Sequence, residues 1–177
     1  MRAYRLDASD VVRAVSGEWD SFARANDGEK AQARSVIGRV VWDMMQGAAT
    51  TGFLDRMFYD CRSTQTAIGL LYRCDSPAVE RLFHMRVEPV ERGGVEVSHR
   101  LIRSRALTIV PLRALGHMHF RRCSQCLSCN FGGPWVDAGH FRLPEGAVAV
   151  DAVCPVCQAA AFLARSEAPA LRPSLCG

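Results

Sequence analysis

Five of the cysteines fall in one stretch, Arg121 to Gln158: Cys123, Cys126 and Cys129, then Cys154 and Cys157. Cys123-x-x-Cys126 and Cys154-Pro-x-Cys157 form two hooks. Two residues between thiols let a tight turn aim both sulfurs at one point, and two such hooks present four thiolates tetrahedrally to one metal ion. The segment between them, Leu127 to Val153, is longer than the roughly 15–20 residues usual between such pairs. Cys129 extends the first hook to Cys-x-x-Cys-x-x-Cys and is an alternative ligand that could replace either neighbour. His117, His119 and His140 also lie near, but four cysteines already fill a tetrahedron.

Two other readings compete with a zinc site. Disulfides or inert buried thiols would fit a secreted chain, but the N-terminus has Asp7 and Asp10 where a leader needs an apolar run. Iron, alone or in an iron–sulfur cluster, is the metal alternative. Cys-Pro-x-Cys hooks occur in rubredoxins, but there a glycine follows, where this chain has Gln158. The extra thiol of Cys129 keeps the iron reading open.

The elements that must position these hooks are legible upstream. Tyr4–Leu6 and Val11–Val15 are short β-type runs with Asp7 to Asp10 as turn chemistry between them, so an opening hairpin is expected. Ser16 is placed to cap a helix carrying Trp19, Phe22 and Ala23, ended by Asn26-Asp27-Gly28. Ser35 to Met45 reads as a short strand or turn entering a helical piece. From Gly52 to Arg62, Phe53, Leu54, Met57, Phe58 and Cys61 recur at helical spacing, a stripe read as core rather than as a cofactor box. From Ala67 the period changes to two. IGLLYRC, RLFHMRVEPV and GVEVSHRLIR read as antiparallel strands, with Glu91 to Gly94 as the turn joining the last two. In the second, Phe83, Met85 and Val87 line an apolar face and His84, Arg86 and Glu88 a polar one.

In combination these segments resemble the PAS superfamily of sensory domains. VVRAVSGEWDSFARAND is similar to a PAS opening strand followed by a W-x-x-FA-x-x-N helix start, VIGRVVWDMM to the segment V-I-G-x-x-x-W-D, and YRCDSPAVERLFHMRVEPVERGGVEVSHRL to the closing strands of a bacterial PAS-like subgroup. The resemblance covers residues 4 to 103. The tail resembles a segment of some PAS-containing bacterial regulators, Cys-x-x-Cys-Lys, Gly-x-Trp-Val, Cys-Pro-x-Cys, through RCSQC, GGPWVD and AVCPVC. It implies Cys123, Cys126, Cys154 and Cys157 as the tetrad, with Cys129 as a departure.

The expected fold is therefore α+β: a PAS-like antiparallel sheet with a helical flap, plus a small C-terminal zinc-ribbon-like unit. The expected divisions are 1–105 for the sensory domain, 106–120 for a connector, 121–162 for the metal-binding ribbon and 163–177 for a disordered tail with a free Cys176. At 177 residues and 49 % hydrophobic side chains the chain can bury a real core. No run of about 18 apolar residues suggests a membrane span, so a cytoplasmic protein is expected.

The chemistry outside the hooks is thin. Cys74 with His84 or His99 is the one conceivable thiol–imidazole pair, and Cys is more often a small buried hydrophobe. Haem on His84 or His99 is a minor reading, since a histidine on a polar strand face is usually solvated. No catalytic residue is assigned and no enzyme is expected. The PAS resemblance implies a cavity for a small molecule, and the lack of any output domain implies a protein partner or a homodimer. The net charge of +4 comes almost wholly from arginine, with Lys30 the single lysine. Arg100, Arg103 and Arg105, with Arg121 and Arg122, flank the connector and the first hook, so a zinc-ribbon regulator that binds nucleic acid is a further, less favoured reading.

Overall fold

The computed structural model describes residues 2–26, 28–76, 78–107, 110–111, 119–137, 141–142 and 146–163. The tail beyond 163, Cys176, His117, His140 and most of the expected connector lie outside them. Among the described residues no helix is long and apolar enough to cross a membrane.

The architecture is α+β. The opening hairpin is present: β1 (Arg2–Leu6) pairs antiparallel with β2 (Val12–Val15). Asp7 builds the turn by accepting the Ser9 and Val11 N–H groups at 2.9 and 3.0 Å, the local competition that makes Asp a turn residue. The three runs of period two form β3 (Ile68–Arg73), β4 (Val79–Val90) and β5 (Gly94–Ala106). β1 joins the far side of β5, which gives one antiparallel sheet in the order β2-β1-β5-β4-β3. Alternation sets its two faces: Phe83, Met85 and Val87, with Val95 and Val97 on β5, are all buried.

Between β2 and β3 lies a flap of short helical pieces: α1 (Trp19–Arg24), α2 (Ala33–Val36) and α3 (Ala48–Thr64), with single 3-10 turns at Glu29–Ala31 and Val41–Met44. Two local expectations differ. Ser16 does not cap α1; its hydroxyl accepts the Ala3 N–H at 3.2 Å and the N-cap position is Glu18, without a side-chain bond. Residues 35–45 form no strand beyond a single bridge from Val40 to Val11, because α2 and the following 3-10 turn use the segment instead. α3 is the flap's anchor. Its stripe (Leu54, Met57, Phe58 and Cys61) is buried against the sheet. Phe58 is wholly buried, and such a side chain contributes about 1.5–3 kcal/mol by leaving water.

The C-terminal part combines two short antiparallel hairpins with parallel pairings. β6 (Val110–Pro111) pairs parallel with β10 (Phe141–Arg142). β7 (His119–Cys123), β8 (Cys129–Asn130), β9 (Trp135–Val136) and β11 (Val148–Ala152) form a second sheet in the order β11-β7-β8-β9. β11 and β7 run parallel, and α4 (Pro155–Leu163) follows. This part shares core with the first: Ala161 of α4 is buried in the main hydrophobic cluster, and Phe53 of α3 packs against both that cluster and the cysteine cluster.

Candidate metal centre

The parallel pairing of β7 with β11 brings the hooks together. Its register ends at Cys123 opposite Ala152, so the chain leaves both strands at the same end. The first hook turns back over Ser124 to Cys126, and Val153 leads straight into the second. Ser124 donates its N–H to the Ala152 carbonyl at 2.9 Å and clips the two exits together. A parallel pair needs a crossover of a dozen residues or more, which explains why the gap exceeds that of a hairpin-built site. The second hook opens α4, with Pro155 as its first residue. Proline suits that place, since its missing N–H has no intrahelical partner there in any case.

One sulfur each from Cys123, Cys126, Cys154 and Cys157 lies within 4.8 Å of all the others. The Cys126 and Cys154 sulfurs are 3.7 Å apart. A tetrahedron with metal–sulfur bonds of about 2.3 Å has edges of about 3.8 Å, whereas a disulfide needs about 2.05 Å. All cysteines among the described residues are free thiols. Four cysteines this close can hold a metal ion.

Backbone and hydroxyl groups surround the sulfurs. The Cys154 N–H donates to the Cys123 Sγ at 3.3 Å and the Cys157 N–H to the Cys154 Sγ at 3.5 Å. Ser128 Oγ lies 3.2 Å from the Cys126 Sγ. The Cys126 thiol is held far below the ordinary thiol range, chiefly by hydrogen bonds from Cys123 and Cys157. Hydrogen bonds with Cys123 and Cys126, in that order, push the Cys157 thiol far up. Four crowded thiols thus favour one thiolate and resist the next. A cation removes that resistance, because a metal ligand is the deprotonated sulfur. Three of the four cysteines are buried and Cys126 is half-buried, with Val153, Trp135 and Phe53 packed around them.

Cys129 stands apart. Leu127, at a φ of +64°, reverses the chain, and the Cys123 N–H closes the knuckle on the Ser128 carbonyl at 2.8 Å. Cys129 then pairs with Arg122. It shares a face, and a small cluster, with Phe120, while Cys123 occupies the opposite face of β7. Its own sulfur donates to the Leu127 carbonyl at 3.7 Å. His119 is exposed and outside the group.

Among the described residues no hydrogen bond joins Cys74 to His84 or His99, although Cys74 and His99 line the same cavity. His84 faces the outer side of the sheet, against Gly69. His99 is on the inner face, stacked on Tyr4 with ring centroids 5.9 Å apart, and its Nδ1 shares a 2.9 Å hydrogen bond with the Tyr72 hydroxyl. Burial, first, and then the Arg2 charge lower its pKa to about 4, so it is neutral at neutral pH. Burial also pushes the Cys74 thiol up, away from the nucleophilic thiolate.

Two attachments of this centre to the rest of the chain leave no sequence signature. Asp151, three residues before Cys154, accepts the Thr50 N–H at 2.9 Å and its hydroxyl at 2.6 Å. Arg73, at the end of β3, donates its backbone N–H to the Gln125 carbonyl inside the first hook at 2.7 Å, and its guanidinium reaches Asp137 at 3.0 Å.

Comparison of the chain with family models, curated proteins and solved structures returns no match.

Proposed function

We propose that this chain is a PAS-like regulatory module, not an enzyme, whose C-terminal segment is fastened by one structural zinc ion and which acts by sensing a small molecule, by contact with a protein partner or by pairing with a second copy. Residues 1–105 would carry the sensing function and 121–162 the metal. The observation that carries this reading is the relation of flap to sheet. One antiparallel sheet has a flap of short helices against one face, with all of them between β2 and β3. That is the architecture the PAS resemblance implies.

A structural role for the metal is supported by the closed donor set, a tetrahedral four-sulfur arrangement that suits zinc and iron alike. Four thiols leave no coordination position for water or substrate, the mark of a structural site. Cys129, the thiol that favoured a cluster, lies on β8 and faces the side of the sheet opposite Cys123. Its separation weakens the redox-sensor alternative. The nucleic-acid alternative loses residues as well. Arg103 and Arg105 bind Glu80 at 3.2 and 2.8 Å, and Trp135 packs against the cysteine cluster rather than standing free for a base. Arg121 and Arg122 remain exposed beside the hook.

Light scattering on the metal-loaded chain, with and without candidate small molecules, tests the regulatory reading. A defined dimer, or a mass that changes on binding, is expected. A chain that stays monomeric at every concentration, takes up no small molecule and forms no complex with a partner would overturn it.

A further inference from the structure

Where α1 covers the inner face of the sheet, a cavity of about 370 Å³ is walled by Trp19, Phe22, Tyr72 and Phe83, with Arg2 and His99 as its basic groups. Among the described residues no Asp or Glu lines it. Its size falls in the range of small-molecule sites, which are mostly apolar with a few placed polar groups.

Arg2 is the informative residue. Its guanidinium carbon lies 3.6 Å from the Phe22 ring centroid and 5.9 Å from that of Phe83. Stacking of this kind uses the face of the guanidinium and leaves the N–H donors on its edge. Among the described residues the Arg2 side chain makes no ion pair or hydrogen bond to those donors. Glu18 is within electrostatic reach of Arg2 but is exposed and outside the lining. A half-buried cation with open donors, beside a ring-lined space whose described lining carries no carboxylate, complements an anion. The geometry of its donors suits the two oxygens of a carboxylate. His99 is fixed by Tyr72 and Tyr4 and adds a polar, uncharged wall. Aromatic walls favour a flat ring over an acyl chain, because stacked or edge-on ring pairs add to what area burial alone provides.

We propose that this cavity binds a small planar aromatic carboxylate, with its ring against Tyr72, Phe83 and Trp19 and its carboxylate forked on Arg2. The inference rests on the sensory reading for its consequence, a signal, and on the cavity alone for the binding.

The test is calorimetry on the full, metal-loaded chain with 2-naphthoate, its neutral counterpart 2-naphthalenemethanol, and octanoate. Saturable one-to-one binding of 2-naphthoate is expected, with the alcohol and octanoate each at least tenfold weaker. Arg2→Met should weaken naphthoate binding at least tenfold and Arg2→Lys less. Lys30→Met, in a separate cavity across Trp19, should leave it unchanged. Absence of saturable binding, equal affinity in Arg2→Met, or equal affinity for either control compound would overturn the site. Should Arg2→Met not fold, naphthoate-induced amide shifts in the unaltered chain decide. Shifts centred on Arg2, Phe22, Tyr72 and His99 support the site, and shifts centred elsewhere reject it. Binding with no change in oligomeric mass or partner contact would keep this site and remove the sensory reading. A ligand-independent dimer that binds no naphthoate would do the reverse.

Discussion

Asp151 caps a helix that begins about a hundred residues earlier in the chain. α3 starts at Ala48 after Gly47, which has no side chain to accept the helix's first N–H groups. The Asp151 carboxylate takes the Thr50 N–H and hydroxyl instead. It also places a negative charge at the positive end of the helix dipole. Gly47 is left-handed at a φ of +91°, and a β-carbon there would collide with that carboxylate. The strand that leads into the second metal hook is thereby tied to the helix that anchors the flap.

Asp151→Ala should therefore destabilise the whole chain by about 1–2 kcal/mol, the usual cost of a lost N-cap. Asp151→Asn, which keeps an acceptor and loses the charge, should cost less. Chemical denaturation of the metal-loaded proteins measures both. Equal stability of Asp151→Ala and the unaltered chain would remove this link.

Glu80 is the second tie. Its side chain is 3 % exposed and meets Arg73, Arg103 and Arg105 at 3.4, 3.2 and 2.8 Å. Arg73, itself 10 % exposed, also pairs with Asp75 and Asp137. Glu80→Gln keeps the shape and removes the charge, so a loss of about 1.5–3 kcal/mol is expected, the range for hydrogen bonds to charged groups. Arg103→Met should cost less than 1 kcal/mol, because that arginine is more than half exposed. Denaturant midpoints of the two variants test the order. The reverse order would place the anchoring elsewhere.

The cysteines separate in the same way. Cys154→Ser should abolish tight metal binding, since it removes one of four ligands. Cys129→Ala should keep the full metal complement and cost only the packing of a small buried side chain, about 1 kcal/mol. Metal analysis after dialysis distinguishes the two. Metal loss in Cys129→Ala would make that thiol a ligand.

Much of the first sheet was legible because its cause is local. Phe83, Met85 and Val87 alternate with His84, Arg86 and Glu88, and only one face of such a strand can be buried. The stripe from Phe53 to Cys61 gave α3 for the same reason, though not its start, since the cap comes from Asp151. The C-terminal part was less legible because its decisive pairing is distant. Nothing near Cys123 announces a parallel partner at Val148–Ala152. α4 did leave a signal, Pro155 followed by Ala159, Ala160 and Ala161, that the metal spacing overshadowed. Spacing alone could not choose between Cys126 and Cys129. The left-handed backbone at Leu127 and the register of Cys129 on Arg122 make that choice.

His99 gives a pH signature. Its folded pKa of about 4 lies below the ordinary 6.5, so the unfolded chain takes up a proton that the folded chain refuses. Stability should be unaffected by this group above pH 6.5 and fall as pH drops toward 4, by up to about 3 kcal/mol at about 1.4 kcal/mol per unit. His99→Gln removes the titration and leaves a partner for Tyr72. Acid release of metal is common to both proteins, so the difference between their stability profiles from pH 7 to 4 isolates the histidine. Parallel profiles would mean that His99 is protonated in the fold.

The most direct measurement is metal content with a visible spectrum, on full chain purified without oxygen and without added metal. One zinc per chain and no colour is the predicted result, with loss of the metal lowering the unfolding midpoint of the whole protein, because Phe53 and Ala161 join the cysteine cluster and α4 to the main core. Iron with charge-transfer bands that bleach in air would contradict the account and make the cysteine cluster itself the sensor.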